Sequence, residues 1–338
     1  MRSIQLQVTD LSLDHQQQHG ESVFPSALQC NASTTTLNAA KTWIADRRDT
    51  LLSQATKHGA IFFRGFPTND VAAFDELVQS FALENFPYQR SLSNAVRINQ
   101  TERVFSANEA PPSIRIFLHH EMAQTPIHPR WILFYCATAS QSGGSTPICR
   151  SDTLLEELER ECPAFVRTCK ERGLRYSNVM PGTPDEHSGM GRSWPDTLGV
   201  TTRQAAENRL RELAYSWEWL DDDCLRATTP ALPAIKALPT GRRSFFNQLI
   251  AAHRGWKDER NDPSAAVRYG DGTALDLAAV QRASELADEL SFDIPWRDRD
   301  FALIDNRVVM HGRAPYQGTR KVFASLAEVE QQRFEPGQ

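Results

Sequence analysis

The residues best equipped for chemistry sit in two short segments far apart in the chain. The first is Leu118-His119-His120-Glu121. In Arg115-Ile-Phe-Leu-His119-His-Glu121, a strand sends Arg115, Phe117, His119 and Glu121 to one face and Ile116, Leu118 and His120 to the other. An imidazole and a carboxylate on one face can grip a metal from one side and leave the opposite side open, which is half of a 2-His-1-carboxylate facial triad. With nine histidines and 42 acidic residues, chance supplies about one His-x-Asp/Glu pair, so a second histidine must complete the set. His311, in Asp305-Asn-Arg-Val-Val-Met-His311-Gly-Arg313, is the candidate: it ends an apolar run, and the glycine after it permits close approach. Arg320 heads the next strand-like run. Its guanidinium, charged at any working pH, can hold the far end of a dicarboxylate whose other end chelates the metal. Strand alternation turns His120 away from such a site and returns Arg313 to it, where Arg313 could meet a substrate carboxylate.

Other chemistries fail on inspection. Gly189-Met-Gly191 lacks the third glycine and the strand-turn-helix setting of a dinucleotide site, and His120-Glu121 has Gln124 where a zincin helix needs its second histidine. The chain holds no GxxxxGK phosphate loop and no GxSxG elbow. His15, His19, His58, His128, His187 and His253 have no partner at metal spacing, Trp217 and Trp219 read as packing residues, and Asp221-Asp-Asp223 reads as a solvated turn.

The elements that must position these residues are partly visible. Leu37, Ala40, Ile44, Leu51 and Ala55 recur at helical spacing up to Gly59, and Gly59-Ala-Ile-Phe-Phe-Arg-Gly65 suits a strand buried on both faces. A helix is expected over 71–81 behind Thr68 and Asn69 as caps, and another from Ser151, as its cap, through Phe165. Short strands are expected between Val96 and Cys136, helices near 202–214 and 277–290, and strands over 300–304, 307–310 and 320–324. The first residues are polar and turn-rich. No repeat or composition break divides the chain, so a single domain over 1–338 with a long insertion is expected.

Length and composition agree with an ordinary globular protein. Hydrophobic residues make up 40% and charged residues 23% of 338, which disfavours disordered and fibrous classes. The net charge of −5 and the lack of a basic block argue against a nucleic-acid partner or an anionic membrane surface. Six cysteines without a CxxC pair read as reduced thiols of a cytoplasmic protein. The N-terminal residues form no apolar leader segment.

The chain resembles the TauD/TfdA group of iron(II)/2-oxoglutarate-dependent oxygenases, in particular its clavaminate-synthase-like and SyrP-like amino-acid hydroxylases. The resemblance spans roughly residues 55–328. It rests on Gly59 to Phe66, Asn108-Glu-Ala-Pro-Pro leading into Leu118-His-His-Glu121, Phe134-Tyr-Cys followed by Gly143-Gly-Ser-Thr-Pro147, Phe246-Asn-Gln248, and the run from Asp305-Asn through His311-Gly-Arg to Gly318-Thr-Arg320. It implies a mainly β fold with flanking helices (α+β), a double-stranded β-helix or jelly roll, in which residues from about 174 to 295 form a lid-like insertion over the site. By motif, His119, Glu121 and His311 would ligate iron, and Thr146 and Arg320 would bind the far carboxylate of 2-oxoglutarate, with O2 as the oxidant. Arg313 and Asn108 are the candidate substrate contacts. His120 stands where relatives carry asparagine. Ala324 occupies the position of the sulfonate-binding arginine of the taurine enzymes, which disfavours a sulfonate. An intact Glu121 favours hydroxylation over halogenation. The implied substrate is a small polar or acidic amino acid, free or presented by a carrier protein, in natural-product biosynthesis. The alternatives are a zinc hydrolase using the same three side chains and a jelly-roll binding protein without catalysis.

Overall fold

A computed structural model describes residues 6–31, 35–93, 95–185, 188, 190–256 and 259–332; residues 1–5, His187 and Gly189 lie outside them. Two sheets face each other as a jelly roll. The larger runs in the order Val8–Asp10, Ser26–Cys30, Ala60–Arg64, Phe301–Asp305, Ile127–Thr138, Lys321–Gln331, Val104–Ser106. The smaller runs Ser291–Ile294, Thr146–Arg150, Val309–Arg313, Ile116–His119. Neighbours in both are antiparallel, except that Ser26–Cys30 lies parallel to Ala60–Arg64.

The alternation of side chains explains why the central strands read as continuous apolar runs. Ala60 and Phe62, Ile132 and Phe134, and Ala302 and Ile304 point between the sheets, where they meet Ile148, Phe292 and Val309 of the smaller sheet. Ile61 and Phe63, Trp131, Leu133 and Tyr135, and Phe301 and Leu303 point outward under the helices Leu37–His58 and Val71–Ser80. Both faces are covered, so neither can be polar. Thr36 caps the first helix, and Gly59 ends it at a φ of 85°, a conformation that glycine adopts without strain.

Several expectations change in detail. Asp70, not Thr68 or Asn69, caps the second helix through the N–H of Ala73. Ser151 opens its helix without capping it, and that helix stops at Glu161; a second runs Pro163–Arg172, because proline cannot continue the first. The polar N-terminal segment contains the short strands Val8–Asp10, Gln17–His19, Ser22–Phe24 and Ser26–Cys30, three to five residues each and too brief to show a period. Within the segment expected to leave the barrel, Leu174–Met180, Leu225–Thr228, Ser216–Trp219 and Val267–Tyr269 form a third sheet. Its far limit differs from 295, since Ser291–Ile294 pairs with Thr146–Arg150 as an edge of the smaller sheet. Among the described residues no helix is long and apolar enough to cross a membrane.

Arg64 and Asp300 join the two strands at the middle of the larger sheet. Arg64 Nη2 and Nε donate to the Asp300 carboxylate at 2.7 and 3.2 Å, and Nη2 also donates to Pro295 O. Both side chains are buried. Asp300→Ala leaves an unpaired buried guanidinium, and urea denaturation should show a loss of about 3–5 kcal/mol; a loss below about 1 kcal/mol would refute the stabilising role.

Candidate active site

His119 and His311 are direct register partners on adjacent antiparallel strands, so their rings come together, with centroids 4.4 Å apart. His119 Nδ1 donates to Phe117 O at 2.8 Å, which leaves the lone pair on Nε2. His311 Nε2 lies 3.5 Å from Glu121 Oε2, and its Nδ1 is buried with no partner. One donor atom from each of His119, Glu121 and His311 falls within 4.8 Å of the others. Burial, helped by the neighbouring His311, pushes the His119 imidazole down to about 4, so at neutral pH it holds no proton that a metal would have to displace. Burial alone would raise the Glu121 carboxyl, but the Arg97 guanidinium and the facing histidine hold it well below the usual carboxylate range. Two imidazole nitrogens and one carboxylate oxygen suit a borderline divalent metal such as iron(II).

The strand ends at His119 rather than running through Glu121, so alternation is not what aims the carboxylate. Asn306, fully buried, does so: its Oδ1 accepts from Glu121 N–H at 2.8 Å and its Nδ2 donates to Glu121 O at 3.0 Å. His120 points away from the three, as the pattern implied. Its Nδ1 donates to Asn306 O and its Nε2 accepts from Ser151 Oγ at 2.9 Å. That bond occupies the hydroxyl expected to cap a helix. Phe246-Asn-Gln248 closes around the same turn: Gln248 Nε2 donates to His120 O at 2.9 Å, and the Phe246 ring sits 4.7 Å from the His120 ring.

A second cluster lies two residues along the strand from Ile148, the register partner of His311. Arg320 Nη2 donates to Thr146 Oγ1 at 3.1 Å and Nε to Gly144 O at 2.8 Å, and Thr146 Oγ1 also accepts from Trp296 Nε1 at 2.8 Å. A cavity of about 160 Å³ opens beside them, lined in part by Arg320, Trp296 and Cys136. Burial pulls Arg320 down to about 10, so it is still charged at neutral pH. Two strand residues span ~7 Å, a separation suited to a five-carbon dicarboxylate reaching from the three-residue cluster to Arg320.

The two candidate substrate contacts are otherwise engaged. A bulge falls between His311 and Arg313, and Arg313 donates to the carbonyls of Ala110, Pro111 and Ile114 at 2.7–2.9 Å. It braces the loop before His119 and presents no free fork, a correction to the alternation argument. Asn108 Oδ1 accepts from Ala110 N–H within the same loop. One charged residue escaped the sequence reading altogether. Arg97 Nη2 lies 3.0 and 3.1 Å from the two Glu121 carboxylate oxygens. No motif or period surrounds Arg97, so nothing local distinguishes it from a surface arginine.

Residues 22–326 match the family described as taurine catabolism dioxygenase TauD, TfdA family. The chain belongs to that family. It is 36% identical over 303 residues, 89% of each chain, to a clavaminate synthase-like protein from Arabidopsis thaliana. To the dapdiamide synthesis protein DdaC of Enterobacter agglomerans it is 31% identical over 295 residues, 83% of this chain and 84% of DdaC. Its fold is similar to that of PvcB from Pseudomonas aeruginosa, with a TM-score of 0.54, 13% identity and coverage of 97% and 92% of the two chains. An asparagine oxygenase solved with Fe(II), 3-hydroxyasparagine and succinate matches with a TM-score of 0.53, 14% identity and coverage of 86% and 83%. The protein is therefore an enzyme, an oxygenase that uses iron(II), 2-oxoglutarate and O2. The hydrolase and non-catalytic alternatives are thereby overturned.

His120→Ala orphans the Ser151 hydroxyl and the Asn306 carbonyl, and should cost about 2–4 kcal/mol in urea denaturation. Anaerobic titration should still show one iron per chain, since the Asn306 side chain keeps its hold on Glu121. Loss of iron binding in a folded variant would make His120 part of the metal site after all.

Proposed function

We propose that His119, Glu121 and His311 hold iron(II) on one face, that Thr146 and Arg320 bind the far carboxylate of 2-oxoglutarate, and that the enzyme hydroxylates an unactivated carbon of a small amino acid, free or carrier-bound, in natural-product biosynthesis. The observation that carries the site is the convergence of three donors, Glu121 and His311 buried and His119 half-buried, two strand residues from a paired arginine and threonine. The names of two relatives support the substrate class: one acts in dapdiamide synthesis and another was solved with a hydroxylated asparagine.

The chain's own residues bind, orient and shield. Arg320 fixes the far end of the cosubstrate with charge-assisted bonds, while Thr146, held by Trp296, sets the direction from which that carboxylate enters. Neutral His119 and ionised Glu121 offer lone pairs without proton release. Phe134, its ring 5.1 Å from the His311 ring, shields that side of the reacting centre from water. When bound, iron(II) with 2-oxoglutarate supplies the oxidation of a C–H bond by O2, with succinate and carbon dioxide as coproducts.

Anaerobic addition of iron(II) and then 2-oxoglutarate should produce the weak visible charge-transfer band of the chelate; a fully metallated protein without that band would refute the proposed site. His119→Ala, Glu121→Ala and His311→Ala should each abolish succinate formation, and retained coupled turnover in any of them would remove that residue from the ligand set. Arg320→Ala should raise the 2-oxoglutarate requirement by an amount equivalent to about 2–5 kcal/mol, with only partial rescue in Arg320→Lys. An unchanged requirement would refute the role of Arg320 alone. For the substrate, aspartate, asparagine, glutamate and glutamine, free and carrier-bound, should include one that yields succinate together with a product heavier by one oxygen; coupled turnover of a non-amino-acid only would contradict that part.

A further inference from the structure

Arg97 is buried, with only 6% of its side chain exposed, against the carboxylate proposed to bind iron. Its guanidinium lies 4.8 Å from the Tyr88 ring and 5.4 Å from the Phe105 ring, contacts that hold it in place independently of Glu121. Its Nε–H is buried and has no acceptor. Glu121 does not need Arg97 to be positioned, since Asn306 grips its backbone on both sides.

On the reading of the site proposed above, the charges do not close without a further anion. Iron(II) brings two positive charges, which Glu121 and the near carboxylate of 2-oxoglutarate neutralise, and Arg320 neutralises the far carboxylate. An imidazole that ligates a metal does so without its extra proton, so the two histidines add no charge. Arg97 then remains as one uncompensated buried cation with an unfilled donor, a costly arrangement unless an anion arrives with the substrate. We propose that Arg97 is the specificity residue that binds a carboxylate of the substrate, so that this enzyme selects a monoanionic carboxylate and rejects its neutral amide. The segment carrying Arg97 is built to hold it firmly: Arg192, from the inserted region, donates to the carbonyls of Gln89, Ser91 and Ser93 at 2.8–3.0 Å.

The test uses the full chain as its anaerobic iron(II)–2-oxoglutarate complex and follows the visible band. The probes are L-aspartate, L-asparagine, L-glutamate and L-glutamine, each against its α-carboxamide, and acetate against acetamide. In the unsubstituted protein at least one acid should shift the band about tenfold more tightly than its amide. In Arg97→Gln, compared at an iron(II) concentration that fills the site of each variant, that preference should fall to within about threefold with 2-oxoglutarate still bound, and Arg97→Lys should keep part of it. A shift by none of the acids, equal shifts by acids and amides, a full preference in Arg97→Gln, or loss of iron rather than of preference would each overturn the inference. If the band never forms, the site reading fails and this inference falls with it; a normal band without dependence on Arg97 sinks this inference only.

Discussion

Asn306 does at the end of a strand what the strand itself cannot. Past His119 the chain leaves the sheet, and Met122 turns it with a φ of 58°, so nothing in the ladder fixes residue 121. The buried amide of Asn306 takes over, pairing with both backbone groups of Glu121 and donating also to Pro129 O at 2.8 Å. Its main-chain carbonyl accepts a hydrogen bond from His120 Nδ1–H. Every member of this network finds a partner, so it specifies one arrangement. His311 follows five positions after Asn306, where the chain crosses from Phe301–Asp305 in the larger sheet to Val309–Arg313 in the smaller, and the clamp thus couples the carboxylate to the histidine that faces it.

From that clamp the rest of the site follows by register. His119 meets His311 across the ladder, and Ile148 meets His311 on its other side. Thr146 then stands at the next inward position of the same strand, with Arg320 bonded to it. Burial deprives His119 of its extra proton while the neighbouring cation keeps the Glu121 carboxylate ionised, so one low-dielectric environment readies a nitrogen and an oxygen donor in opposite ways. The family match fixes the class of chemistry; what selects the substrate is left to the segments that surround the open side.

The parts of this structure that were legible in the sequence are those where burial writes a period. Ala60–Arg64 and Phe301–Asp305 are covered on both faces and read as apolar runs, and the helix Leu37–His58 showed its stripe and its glycine stop. His119, Glu121 and His311, which the structure brings together, stand out in the sequence because potential ligand types recur at short spacings beside such runs. Arg97, Asn306 and Ser151 were not assigned their roles, because each works through a partner distant in sequence and carries no local pattern. Arg313 shows the converse. Its alternation pointed to the site, but a bulge and three backbone carbonyls claimed its guanidinium instead.

The central claim is that two histidines on adjacent strands and a carboxylate from the turn after one of them hold one metal on one side and leave its other side to ligands from solution. Anomalous diffraction at the iron edge, from crystals grown anaerobically with iron(II), tests it most directly. The account predicts a single peak at bonding distance, about 2.0–2.2 Å, from His119, Glu121 and His311, with no other protein atom coordinating. A peak elsewhere in the chain, or a fourth protein ligand closing the coordination sphere, would contradict it.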